Sequence, residues 1–150
     1  MVKKILSLLL LLSLSMCATI NLVQEEKNVM GIIEVINSGN SEKLIECSRV
    51  PFLLDGEIIM MEQDITMLWT NLMSGGFTIE EAVVTHIQKI DKAAYKEFEN
   101  NMEIEAYFQK YLPGKAVLSR VSTKDGDYLF LTGKGKKGTT LLYGLKGPEL

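Results

Sequence analysis

Between Glu25 and Ile36 the apolar residues fall at Val29, Ile32, Ile33 and Ile36, a spacing that lays one stripe along a helix. Asn37-Ser38-Gly39-Asn40 ends it, with Gly39 where a left-handed residue closes a helix. Asn40 or Ser41 then caps a short second helix to about Cys47. Two apolar runs, Val50 to Leu54 and Glu57 to Met61, flank Asp55-Gly56, a strong hairpin signal. Asp64 is expected to cap a third helix carrying Ile65, Leu68, Trp69, Leu72 and Met73, which stops at Gly75-Gly76.

From Glu81 to Ile90, the β-branched residues Val83, Val84, Thr85 and Ile87 predict a strand. Asp91 opens a helical stretch to Leu112, closed by Pro113-Gly114. Its apolar phase shifts near Asn100-Asn101, which predicts two helices or a kink. Three strands follow, Ala116 to Thr123, Tyr128 to Thr132 and Thr139 to Leu145, turned at Asp125-Gly126 and at a Gly-Lys loop. Helices first and a meander last predict an α+β domain. Its N-terminal helices would pack on one face of a curved antiparallel sheet, with a helical insert at about 91–112.

The start of the chain reads differently. Lys3 and Lys4 precede an uncharged apolar run from Ile5 to Leu14. That run is shorter than the roughly 20 apolar residues of a spanning helix and fits a secretory signal. Residues 1–17 are therefore expected to be a signal peptide and 18–150 a single domain, exported to the periplasm or the extracellular space. Leu14-Ser15-Met16-Cys17 resembles the lipobox of bacterial lipoproteins, in which Cys17 is acylated and tethers the protein to a membrane. Met16 departs from that pattern, and ordinary cleavage after Ser15 is the alternative. With Cys17 removed or acylated, Cys47 is left alone, and the apolar residues around it suit a small buried side chain.

Charge is uneven. Without the signal, 14 basic residues face 19 acidic ones. Ala18 to Gly114 carries a net −9, and Lys115 onward a net +4. The acidic balance and the expected compartment argue against nucleic acid as a partner. Lys134, Lys136 and Lys137 share a Gly-rich turn and read as a solvated hairpin tip.

The element order, with Val50-Pro51-Phe52-Leu53-Leu54-Asp55-Gly56-Glu57-Ile58-Ile59 ahead of a helix bearing Leu68-Trp69, resembles the cone-shaped fold of the nuclear transport factor 2-like superfamily, SnoaL-like enzymes included. The 91–112 insert is a departure from it. That resemblance implies either a general base inside the cone or a domain without chemistry that binds ligands or proteins. His86, the sole histidine, would be the base. Its partners would be Asp55, Asp64 or Asp91, with Tyr107 or Tyr143 as donors. By alternation His86 shares a face with Val84 and Ile90.

Other chemistry is thin. Gly133-Lys134-Gly135-Lys136-Lys137-Gly138-Thr139 lacks the ending of a phosphate loop and has no helix after it. Met60, Met61, Met67 and Met73 read as packing residues rather than a soft-metal site, and the chain has too few Cys and His for zinc. No cofactor is expected. The expected function is binding of a small apolar ligand or a protein partner, in a pocket lined by Phe52, Leu54, Met61, Leu68, Trp69 and Phe108. The alternatives are a lyase or isomerase using His86, and an assembly protein forming a homodimer through its sheet.

Overall fold

The computed structural model describes residues 20–149. The expected signal peptide and Cys17 lie outside them. Helix α1 spans Leu22–Asn37 and begins three residues before the stripe suggested, because Asn21 Oδ1 accepts the Gln24 backbone N–H at 3.2 Å. Gly39, at φ +70°, closes it in the left-handed region. Asn40 caps α2 (Ser41–Cys47) through the Lys43 backbone N–H at 3.0 Å. The chain then turns directly into β1 (Ser48–Leu54), which hairpins to β2 (Glu57–Ile59).

Helix α3 (Glu62–Ser74) starts before Asp64, which sits in its first turn and does not cap it. Strand β3 (Val83–Lys89) follows. The 91–112 segment holds a 3-10 turn at Ala94–Glu97 and then α4 (Met102–Lys110), whose cap is Asn101 at the expected phase shift. Strands β4 (Val117–Thr123), β5 (Gly126–Lys134) and β6 (Thr140–Glu149) complete the sheet, the last two longer than their apolar runs.

The six strands lie in the order β2-β1-β6-β5-β4-β3. The sheet is mixed rather than antiparallel, because β1 lies parallel to β6. Their pairing jumps from Ser48 opposite Leu142 to Leu53 opposite Gly144. Pro51, which has no N–H to give a ladder, lies within the jump. At Gly144 the two backbones come so close that a Cβ would stand 2.8 Å from the Leu53 carbonyl oxygen.

Helices cover both faces, which corrects the one-sided packing expected. Phe52, Val121, Phe130 and Leu142 face α1, α2 and α3 and enclose Trp69. Their strand neighbours Leu53, Leu118, Leu129 and Leu131 point the other way, onto the 3-10 turn and α4. The insert is the lid of this second core, where Phe98 and Phe108 meet edge to face at 5.9 Å. Adjacent apolar residues in β1, β4 and β5 are what a sheet buried on both sides requires.

The expected pocket is closed core. Phe52 and Trp69 are fully buried, their rings 6.4 Å apart and nearly perpendicular. Phe108 belongs to the opposite core, and Met61 is exposed. The methionines also depart from expectation. Strand β2 ends at Ile59, so Met60 and Met61 lie in the connection to α3, and they are exposed along with Met67. Met73 packs on the first core.

Candidate functional site

His86 stands on β3, an edge of the sheet, and is exposed. The pairing of β3 with β4 shifts between Val84 and His86, so Thr85 is an extra residue that breaks the alternation. Val84 therefore packs on the first core, while His86 aligns with Arg120 on the opposite face. It shares a face with Gln88, its Nε2 lying 3.3 Å from Gln88 Oε1, in a notch of about 100 Å³ lined also by Glu97 and Arg120.

None of the five expected partners meets it. Asp55 Oδ1 accepts the Gly147 backbone N–H at 3.0 Å and pins the β1–β2 hairpin to β6. Asp91 Oδ1 accepts the Ala93 N–H at 2.8 Å within its own turn. Asp64 stays in the first turn of α3. The Tyr107 hydroxyl lies 2.7 Å from the Tyr143 carbonyl oxygen and 2.9 Å from that of Pro51, tying α4 to β6 and β1. Burial holds that phenol protonated beyond the usual tyrosine range. Arg120 in the notch already meets Glu97 at 2.7 Å, Asp127 at 3.4 Å and Glu149 at 3.8 Å.

Cys47 is half-buried, with its thiol donating to the Leu44 carbonyl at 3.3 Å. Burial, the largest influence, pushes its pKa from an ordinary 9.0 up to about 11. The thiolate is scarce at neutral pH and the group is a poor nucleophile. Among the described residues no three His, Cys, Asp or Glu gather as metal ligands.

A concave feature with a mixed lining lies elsewhere, at the end of the sheet where β3 stops, β4 starts and β5 stops. Lys89, Val117 and Thr132 form one rung there. The first turn of α1 crosses this end, and a cleft of about 370 Å³ remains between helix and sheet. Its cause is local. The inward stripe of α1 is apolar from Val29 onward, but one turn earlier that position is Glu25, which does not close onto the strands. Glu25 is instead largely buried at the cleft, 3.5 Å from Lys134 Nζ, and accepts from Asn28 Nδ2 at 2.8 Å.

Ile20, Ile90, Ala116 and Val117 give the cleft an apolar floor, and Gly114 leaves room at its edge. Lys89, Lys115 and Lys134 stand around it from three different elements. Lys115 is exposed and, among the described residues, makes no salt bridge. Lys134 is thus a cleft residue as well as part of a hairpin, which corrects its reading as a solvated tip.

No family model matches the chain, and no curated protein matches it. Among solved structures it is similar to a DUF4783 family protein from Bacteroides ovatus, with 15% identity over 77% of this chain and 89% of that one, at a TM-score of 0.41. A DUF4783 family protein from Bacteroides fragilis gives 12% identity, 77% and 92% coverage and a TM-score of 0.42. One from Bacteroides uniformis gives 13%, 78%, 92% and 0.41. Likeness at this level carries no activity across. The expected nuclear transport factor 2-like membership is not upheld: these neighbours are all DUF4783 proteins and none is named for that superfamily. An order of helices and strands without a motif does not separate one α+β family from another.

Proposed function

We propose that this domain binds a small, mainly apolar ligand, without chemistry, in the cleft between the first turn of α1 and the end of the sheet. The observation that carries the reading is the lining itself. An apolar floor at Ile20, Ile90, Ala116 and Val117 sits beside a few polar groups, in a volume of about 370 Å³. Small-molecule sites have that composition and range over about 300–1,000 Å³. The location proposed is outside the cytoplasm, on the strength of the Lys3-Lys4 and Ile5–Leu14 leader. A mass spectrum of protein recovered from its own host, starting at an acylated Cys17 or nearby, would establish the processing.

The binding test uses the neutral apolar fluorophore N-phenyl-1-naphthylamine. We expect saturable enhancement with one site per chain, lost in Gly114→Trp. A Cβ at Gly114 meets no heavy atom within 4 Å, so the variant should fold and melt as the parent does while its indole crowds the cleft. Non-saturable fluorescence, or equal binding by a folded Gly114→Trp protein, would remove the cleft as the site.

A further inference from the structure

The charge around the cleft runs against the charge of the protein. Residues 18–150 carry a net −5, yet the cleft lining brings together Lys89, Lys115 and Lys134, with Glu25 the one carboxylate among its described residues. We propose that the ligand is an anionic amphiphile, a single short apolar chain ending in a carboxylate, with the chain on the Ile20–Ile90–Ala116–Val117 floor and the head among the three lysines. The proposal rests on the cleft-binding reading above and adds the class of ligand.

Three features favour this head group. The lysines come from β3, from the turn before β4 and from β5, so they surround the rim and do not form a tight cluster. Among the described residues no arginine lines the cleft to offer the planar fork that suits a dianionic phosphate. Lys134 is already met by Glu25 at 3.5 Å, while Lys115 is exposed and makes no salt bridge among the described residues, which suits one negative charge more than two. The floor is the complementary argument. A fully hydrated anion would leave the half-buried Ile20 and Ile90 side chains wet, whereas a chain-bearing anion covers them.

Volume sets the size. At about 370 Å³ the cleft sits near the lower limit of small-molecule sites, which fits one chain of medium length and excludes a two-chain lipid. Cationic groups at the rim of a low-dielectric wall also concentrate anions near the opening, so capture should be faster at low ionic strength.

The test is displacement of N-phenyl-1-naphthylamine by decanoate and by 1-decanol, which share a chain and differ in the head. Decanoate is expected to bind at least about tenfold more tightly than decanol at low salt. The preference should shrink in 0.5 M NaCl and in Lys115→Gln, while decanol binding stays the same in both. Equal displacement by the two compounds would overturn the anionic head and leave the cleft reading standing. Displacement by neither, with the fluorophore indifferent to Gly114→Trp, would overturn both.

Discussion

The indole Nε1 of Trp69 donates a hydrogen bond to Ser48 Oγ at 2.8 Å, and that hydroxyl in turn donates to the Leu44 carbonyl at 2.7 Å. One buried chain of two bonds thus joins α3, β1 and the end of α2 at the centre of the first core. Trp69 is wholly buried, so its N–H has no access to water when the acceptor is lost. Ser48→Ala should destabilise the fold by about 1–3 kcal/mol, the usual consequence of stranding a buried donor. Urea unfolding read by Trp69 fluorescence measures it; a change under about 0.3 kcal/mol would mean the indole finds another partner.

Two buried hydroxyls lack such arrangements. Ser119 Oγ and Thr132 Oγ1 are buried without a hydrogen-bond partner among the described residues. Thr132→Val keeps the shape and removes the polar atom, so it should raise stability by about 1 kcal/mol. A loss of stability on thermal unfolding would show that the hydroxyl is satisfied in solution.

Arg120 fastens the insert to the sheet. From β4 it reaches Glu97 in the 3-10 turn as well as Asp127 and Glu149 on β5 and β6, and Lys146 Nζ donates to the Glu97 carbonyl at 2.9 Å. The network is about one-third exposed, so its contribution to global stability is expected to be near 1 kcal/mol or less. Its local effect should be larger. Arg120→Met should speed amide exchange across 94–110 while β4 and β5 keep their protection. Uniform acceleration over the whole chain would argue that the insert is held by Phe98 and Phe108 alone.

Alkali should weaken the fold. The Cys47 thiol is raised by burial from 9.0 to about 11, so above pH 9 the unfolded chain releases a proton that the folded chain keeps. The unfolded state then binds fewer protons, and stability falls as pH climbs from 9 to 11. Tyr107 and Tyr128, both raised above 10.0 by burial, extend the fall to higher pH. Below pH 9 these three groups contribute no slope. Melting temperatures from pH 7 to 11 should decline less in Cys47→Ala than in the parent; identical curves would exclude the thiol. Iodoacetamide should also modify folded Cys47 roughly 100-fold more slowly than an ordinary thiol.

Much of the fold was legible because helices announce themselves locally. The Val29–Ile36 stripe, the Asn40 cap and the phase change at Asn101 each lie within a few residues of what they determine. The parallel pairing of β1 with β6 joins residues about ninety positions apart and has no local signal. The bulge at Thr85 was equally silent, and it moved His86 to the other face. The second core did leave a trace. Val117-Leu118, Leu129-Phe130-Leu131 and Leu141-Leu142 are apolar at consecutive positions, which strict alternation would not allow for a sheet wet on one side. The cleft was hidden because its lining comes from four separate stretches of chain. Its one sequence clue was Glu25, a carboxylate in the apolar stripe of α1.

The two-sided sheet also fixes the order in which the molecule can be finished. Phe130 closes one core and Leu129 and Leu131 the other, all from a strand that begins at Gly126. The helices made first during synthesis therefore have only part of their wall, Phe52 of β1 and Val121 of β4, until Phe130 has emerged. Both halves must then settle around that late strand, so neither core can close before β5 has been made.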